Sequence, residues 1–172
     1  VVEAKSTFDF VVTEHPLINP DAIKVNAIFV TDDQTLNDVP ADYETMVSWV
    51  DQLNAVMATV YPAENWPAME VASTIAYYDP VYAVTNNTHG ALADLGSSPV
   101  ARQDHLNLVI LVSDQNIGDS GTYSAGVTYP WQFITAFRGA TIVVNKNDGV
   151  PVLIHEFCHV IGIGDHIAGS WP

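Results

Sequence analysis

Hydrophobic and polar residues are arranged along the chain in short runs that predict a series of strands. Strands are predicted at residues 6–13, 24–31, 70–78, 106–113, 125–129 and 141–145, where β-branched and aromatic residues are frequent. The run at 106–113 is almost continuously apolar, which is typical of a strand that is buried on both faces.

Two segments have the three- and four-residue hydrophobic spacing of helices. In residues 42–60 the spacing is set by Met46, Val47, Val50, Leu53, Val56, Met57 and Val60, before Pro62 and Pro67 end the helix. A second helix is predicted at residues 151–161, whereas residues 83–105 are mixed and contain several turn signals. The order of elements predicts an α+β fold, in which helices pack against a mixed, twisted β-sheet.

The charge balance excludes two classes of partner. The chain of 172 residues carries 20 acidic and 5 basic residues, for a formal net charge of -15. Nucleic-acid binding is not expected, because it requires clustered Lys and Arg, and an anionic membrane surface is disfavoured for the same reason. The acidity is explained by a solvated surface, with a salty or acidic habitat or bound calcium as alternatives.

The cysteine content and the apolar runs limit the class of protein further. The chain has one cysteine, Cys158, so no intrachain disulfide can form, although a domain of this size can be secreted without one. It begins at Val1 without the charged and apolar regions of a leader, which is expected if a leader has been removed or if the chain has been shortened. No apolar run approaches the roughly 20 residues needed to span a bilayer.

The predicted second helix contains the motif His155-Glu156-Phe157-Cys158-His159. Residues four apart lie on one face of a helix, so both imidazoles can bind one zinc ion. Glu156 lies about 100° around the helix from His155, which places its carboxylate beside the metal as a general base. The alternative is a helix with two unrelated surface histidines. Because the flanking residues are apolar, we expect a largely buried helix, in which three ionisable groups need a reason such as a metal.

A third zinc ligand is expected downstream, because catalytic zinc is usually held by three protein ligands and a water. No glutamate follows Glu156, so the candidates are Asp165 and His166. Gly162 and Gly164 allow the chain to turn back towards the metal after the helix ends.

The extended pattern from His155 to Asp165, with Glu156, His159 and Gly162 at the intervening positions, resembles the zinc signature of the metzincin clan in its aspartate-ending form. Residues 159–166 look especially like the snapalysin family of small secreted neutral proteases. The resemblance implies that His155, His159 and Asp165 bind Zn2+ and that Glu156 is the general base. It also implies a secreted zinc metalloendopeptidase, which hydrolyses a protein or peptide substrate by metal-activated water. Most metzincins have histidine at the last position, so His166 remains an alternative ligand.

The resemblance also predicts the domain organisation. Residues 1–172 would form a single metzincin-like catalytic domain, with the upper lobe extending to about residue 162 and a truncated lower lobe at 163–172. Metzincins carry a methionine turn after the third ligand, whereas Met46, Met57 and Met69 all precede it here. This departure motivates an alternative function, a non-catalytic structural, assembly or adhesion module that retains the zinc site.

Several further groups are candidates for binding. By position, residues 123–129 resemble the edge strand to which metzincins add their substrate, and an ordinary core strand is the alternative. The loop at residues 114–120 has oxygen ligands at alternate positions that suit Ca2+, and an acidic surface turn is the alternative. Cys158 is predicted to be a small buried residue, and His15, His89 and His105 are predicted to be structural or on the surface.

Overall fold

The elements of the fold follow the predicted order. The computed structural model describes residues 10–36, 39–60, 67–81, 88–111, 126–129 and 139–161. These residues form β1 (Phe10–Glu14), β2 (Ile23–Thr31), α1 (Val39–Val60), β3 (Met69–Tyr78), α2 (Thr88–Gly96), β4 (Leu106–Leu111), β5 (Gly126–Tyr129), β6 (Thr141–Asn145) and α3 (Gly149–Val160). The prediction of an α+β fold with a mixed sheet is confirmed. Parts of the predicted strands, at 6–9, 112–113 and 125, lie outside the described residues.

The six strands form one sheet in the order β1-β3-β2-β4-β6-β5. The four inner strands β3, β2, β4 and β6 are parallel, and the edge strands β1 and β5 run antiparallel to their neighbours. Every residue of β4 and of β6 is buried, as the apolar run in the sequence of β4 predicts for an inner strand of a parallel sheet. By contrast, all five residues of β1 are exposed, because this strand lies at the edge of the sheet.

Helices cover both faces of the sheet. Helices α1 and α3 pack on one face, where α1 contributes Met46, Trp49, Val50, Leu53 and Met57 to the core. Helix α2 packs on the other face through Ala91, Leu92 and Leu95, which contact residues of β2, β3, β4 and β6. The described part of the chain therefore forms three layers around two hydrophobic cores. None of its helices is long and apolar enough to cross a membrane.

A buried polar network joins three adjacent strands to the segment between α2 and β4. The Ser73 hydroxyl donates to Asn26 Oδ1 at 2.7 Å, and Asn26 Nδ2 donates to Asn107 Oδ1 at 3.0 Å and to the Val100 carbonyl at 2.9 Å. Asn107 in turn accepts from the Arg102 backbone N–H at 2.7 Å. These bonds satisfy polar side chains that are fully buried, and they hold residues 100–107 against the sheet.

Gly139 lies directly beneath this segment, just before β6. A Cβ atom at this position would lie 2.5 Å from the His105 carbonyl oxygen and 2.7 Å from the Arg102 carbonyl oxygen. We expect Gly139→Ala to lower the free energy of unfolding by about 3 kcal/mol, because both neighbours are backbone atoms that cannot move independently. Denaturant unfolding of the variant measures this change.

Gly149→Ala provides the matched comparison for this prediction. Gly149 has a positive φ of 63°, but its nearest contact for a Cβ is Pro151 Cδ at 3.9 Å. Its substitution should cost only about 1–2 kcal/mol, the conformational cost of a left-handed residue. If Gly139→Ala unfolded within about 0.5 kcal/mol of the wild type, the close approach would be refuted.

Candidate metal centre

The turn between β6 and α3 fixes where the motif-bearing helix begins. Asn145 Oδ1 accepts from the Asn147 N–H at 2.9 Å, and the Asp148 N–H donates to the Asn145 carbonyl at 3.1 Å. Lys146 Nζ lies 3.3 Å from Asp42 Oδ1, and Asp42 is buried in the first turn of α1. The positive φ of Gly149 then directs the chain into α3, so the start of α3 is tied both to the sheet and to α1.

The two sides of α3 differ in burial. Leu153 is fully buried and Phe157 is 3% exposed, and both pack in the core that α3 shares with α1. On the opposite side His155 is exposed, and His159 is partly exposed. The prediction of a largely buried helix is therefore wrong, because α3 buries one face only. The two histidines lie on the side of α3 that a metal and a substrate can reach from solvent.

The two imidazoles of the motif face each other at close range. Their Nε2 atoms lie 3.2 Å apart, and the ring centroids are separated by 4.8 Å at an interplanar angle of 88°. Two nitrogens bound to one tetrahedral zinc at about 2.0–2.1 Å would lie about 3.3–3.4 Å apart. The spacing of the pair therefore fits the edge of a zinc tetrahedron. The same contact can be a hydrogen bond between two neutral rings, since the tautomer determines which nitrogen donates.

Glu156 lies on the buried side of the histidine pair. Only 6% of this residue is exposed, whereas the preceding residue His155 is exposed. By helix geometry its side chain leaves α3 about 100° from His155 and about 60° from His159. Glu156 is thus a buried carboxylate next to two metal-ligand candidates.

Cys158 is partly exposed, so the prediction of a buried cysteine is wrong.

The remaining ligand candidates lie outside the described residues. Asp165 and His166, the alternatives for the third ligand, follow Ile161, the last residue that is described. Within the described ranges, no group of three or more His, Cys, Asp or Glu side chains could hold a metal ion. From the predicted site the structure brings the imidazoles of His155 and His159 together, and Glu156 is buried on the same helix. Asp165 and Gly162 stay predictions, as does the truncated lower lobe at 163–172.

Helix α3 packs against an edge of the sheet, on β5 and β6. Strand β5 pairs with β6 on one side, and within the described part of the chain no strand pairs with its other side. The histidine-bearing helix therefore lies beside a sheet edge. The earlier part of the predicted edge strand, residues 123–125, and the calcium-loop candidate at 114–120 lie outside the described residues.

Two other histidines bond to protein groups that are not part of the motif. His15 Nε2 lies 3.0 Å from Thr74 Oγ1, and its ring stacks on Tyr43 with the centroids 3.9 Å apart. Burial lowers the pKa of His15 from its ordinary value. His105 Nδ1 lies 2.7 Å from Asp104 Oδ1, and this hydrogen bond is the main reason that the pKa of Asp104 is lowered. The side chain of His89 lies outside the described residues.

No protein-family model matches the chain, and no curated protein matches it in sequence.

Proposed function

We propose that the protein is a secreted, zinc-dependent endopeptidase of the metzincin clan, which hydrolyses peptide bonds in a protein or peptide substrate. The observation that carries the proposal is the 3.2 Å separation of His155 Nε2 and His159 Nε2 on the accessible side of α3. The sequence likeness to the aspartate-ending metzincin signature supplies the reaction class.

His155 and His159 would hold the zinc as neutral imidazoles through Nε2, with Asp165 as the third ligand and His166 as the alternative. His159 lies in the last turn of α3, where the partial negative charge of the helix terminus stabilises a cation. The formal net charge of -15 favours cation binding as well. When bound, zinc supplies Lewis-acid polarisation of the scissile carbonyl and activation of the attacking water.

Glu156 would act as the proton carrier of the reaction. Its carboxylate takes a proton from the attacking water and later delivers it to the leaving amine. Burial of Glu156 beside an exposed His155 places the base at the boundary between protein and solvent, where the attacking water must lie. This role requires an ionised carboxylate that lies close to the metal but is not one of its ligands, and the separations of about 100° from His155 and 60° from His159 on α3 support such a position.

The edge strand β5 would align the substrate. An extended peptide that pairs with the outer edge of β5 gains main-chain hydrogen bonds, which are largely independent of its sequence. Because α3 packs against β5, the peptide would run beside the helix that carries the two histidines. Broad cleavage specificity is the expected consequence of this mode of binding.

The experiment is a cleavage assay of the full chain on casein, with and without a zinc chelator. We expect cleavage that the chelator abolishes and that stoichiometric zinc restores, because zinc supplies activation that Glu156 alone cannot provide. Cleavage that persists in the chelator after metal removal is confirmed would refute the zinc mechanism. A protein that holds zinc without cleaving any substrate would instead support the alternative of a non-catalytic module.

A further inference from the structure

A cavity of about 250 Å³ lies between the C-terminal end of α3 and the beginnings of the inner strands. Its walls are almost entirely apolar, and the apolar residues that line it are Ile23, Leu106, Ala140, Phe157, Val160 and Ile161. An engineered apolar cavity of about 150 Å³ is large enough to bind benzene. The cavity therefore has room for one aromatic ring with a substituent.

Two polar residues line this cavity, Asp104 and His105. Asp104 is mostly exposed, whereas His105 is buried. The His105 side chain is 7% exposed, and its Nδ1 lies 2.7 Å from Asp104 Oδ1. Because a carboxylate accepts hydrogen bonds, Nδ1 carries the proton in the neutral ring and Nε2 is left with a lone pair. Within the described ranges Nε2 has no hydrogen-bond partner, although the ring lines the cavity. A buried acceptor without a partner indicates a missing donor.

We propose that this cavity is a binding site for a small neutral molecule that combines an apolar ring with a hydroxyl group, as a phenol does. The ring would occupy the apolar volume, and the hydroxyl would donate to His105 Nε2. A carboxylate would require a protonated His105 and would lie close to the Asp104 carboxylate. A cationic amine would lose its hydration among the apolar walls, and the carboxylate that lines the cavity, Asp104, is mostly exposed to solvent.

This site is separate from the histidine pair. Phe157, Val160 and Ile161 lie about 100–160° around the helix from either histidine, and Val160 lies on the same side of α3 as Glu156. Phe157 is 3% exposed, whereas His155 is exposed. The proposal thus requires neither zinc nor peptidase activity, and it can fail or hold without affecting the proposed function.

The test measures binding of phenol, toluene and benzoate to the full chain at pH 8. Ligand-observed NMR gives the affinities, and labelled protein gives the ¹⁵N shift of His105 Nε2. We expect phenol to bind, benzoate not to bind, and the Nε2 resonance to move upfield as it accepts the hydrogen bond. No binding of phenol, or phenol binding without a change at His105 Nε2, would overturn the proposal.

Two variants locate the site. In His105→Phe, which keeps a ring but removes the acceptor, the phenol-to-toluene affinity ratio should fall by about fivefold or more, as expected for one hydrogen bond. Val160→Trp should fill the cavity and abolish binding of both molecules. An unchanged affinity ratio in His105→Phe, or undiminished phenol binding in Val160→Trp, would contradict the assignment. If either variant fails to fold, the Nε2 shift in the wild-type protein decides.

Discussion

Replacing Glu156 by Gln is expected to reduce peptide-bond cleavage by at least about a hundredfold, the contribution typical of general acid–base catalysis. The amide has nearly the shape of the carboxylate, but it cannot take a proton from the attacking water. Because Glu156 is proposed as a base and not as a ligand, the variant should still bind one equivalent of zinc. Steady-state cleavage of casein or of a labelled peptide, together with metal analysis of the same preparation, measures both effects.

Glu44→Gln is the control for this substitution. The substitution is the same change from carboxylate to amide, but Glu44 is exposed and lies on α1, which does not carry the motif. The control should cleave at the wild-type rate and unfold normally. Cleavage by Glu156→Gln at that same rate would remove Glu156 from the mechanism, and loss of zinc from Glu156→Gln would reassign it as a ligand.

Loss of either motif histidine should abolish stable zinc binding. We expect His155→Ala and His159→Ala each to weaken zinc affinity by more than about a hundredfold, because even the loss of a group that only supports a ligand costs up to that factor. In the wild-type protein, zinc at 1,000 times its dissociation constant should add about 4 kcal/mol to the free energy of unfolding. At the same zinc concentration that increment should fall to about 1.4 kcal/mol or less in both variants, as measured by unfolding with and without zinc.

Further substitutions test whether zinc binding depends on the motif histidines alone and identify the third ligand. His15→Gln changes a histidine that bonds to Thr74, away from α3, so its zinc affinity should equal that of the wild type. Asp165→Asn should weaken zinc binding more than His166→Asn if the aspartate-ending pattern holds, and the reverse order would assign His166. Zinc binding that survives loss of both His155 and His159 would place the metal elsewhere.

The bounds of several inner strands can be predicted from the sequence, because the apolar runs of buried parallel strands fit few other structures. Strand β6 begins and ends where the pattern predicts, and β2 and β3 extend the predictions by one residue each. Most of their residues are apolar and nearly all are buried, since both faces of the sheet are covered by helices. Helix α1 is equally clear, because its buried residues repeat at helical spacing over several turns.

Helix α2 is missed for a physical reason. It has nine residues, with Gly90 inside it and Gly96 at its end, and turn signals flank both sides. Among the residues of α2 whose side chains are described, Ala91, Leu92 and Leu95 form the apolar buried side, a pattern too short to distinguish from a loop. Its stability comes from packing against the sheet, and that contribution is absent from local sequence patterns.

The candidate site was predictable in part. The i, i+4 spacing alone brings His155 and His159 together, as the 3.2 Å contact shows. Their exposure was not predicted, because the apolar residues before the motif suggested burial on all sides. Instead Leu153 and Phe157 supply the buried face of α3, and the histidines lie opposite. The third ligand depends on how the chain returns after α3, which helix periodicity does not encode.

The most direct test of the account is metal analysis combined with zinc X-ray absorption spectroscopy on the purified full chain. The account predicts about one equivalent of zinc, bound by two histidine nitrogens at about 2.0–2.1 Å and by oxygen ligands, without sulfur. The His155→Ala, His159→Ala double variant should retain less than about a tenth of an equivalent of zinc. Less than about a tenth of an equivalent of bound zinc in protein supplied with zinc, or a sulfur ligand from Cys158, would contradict the proposed zinc site.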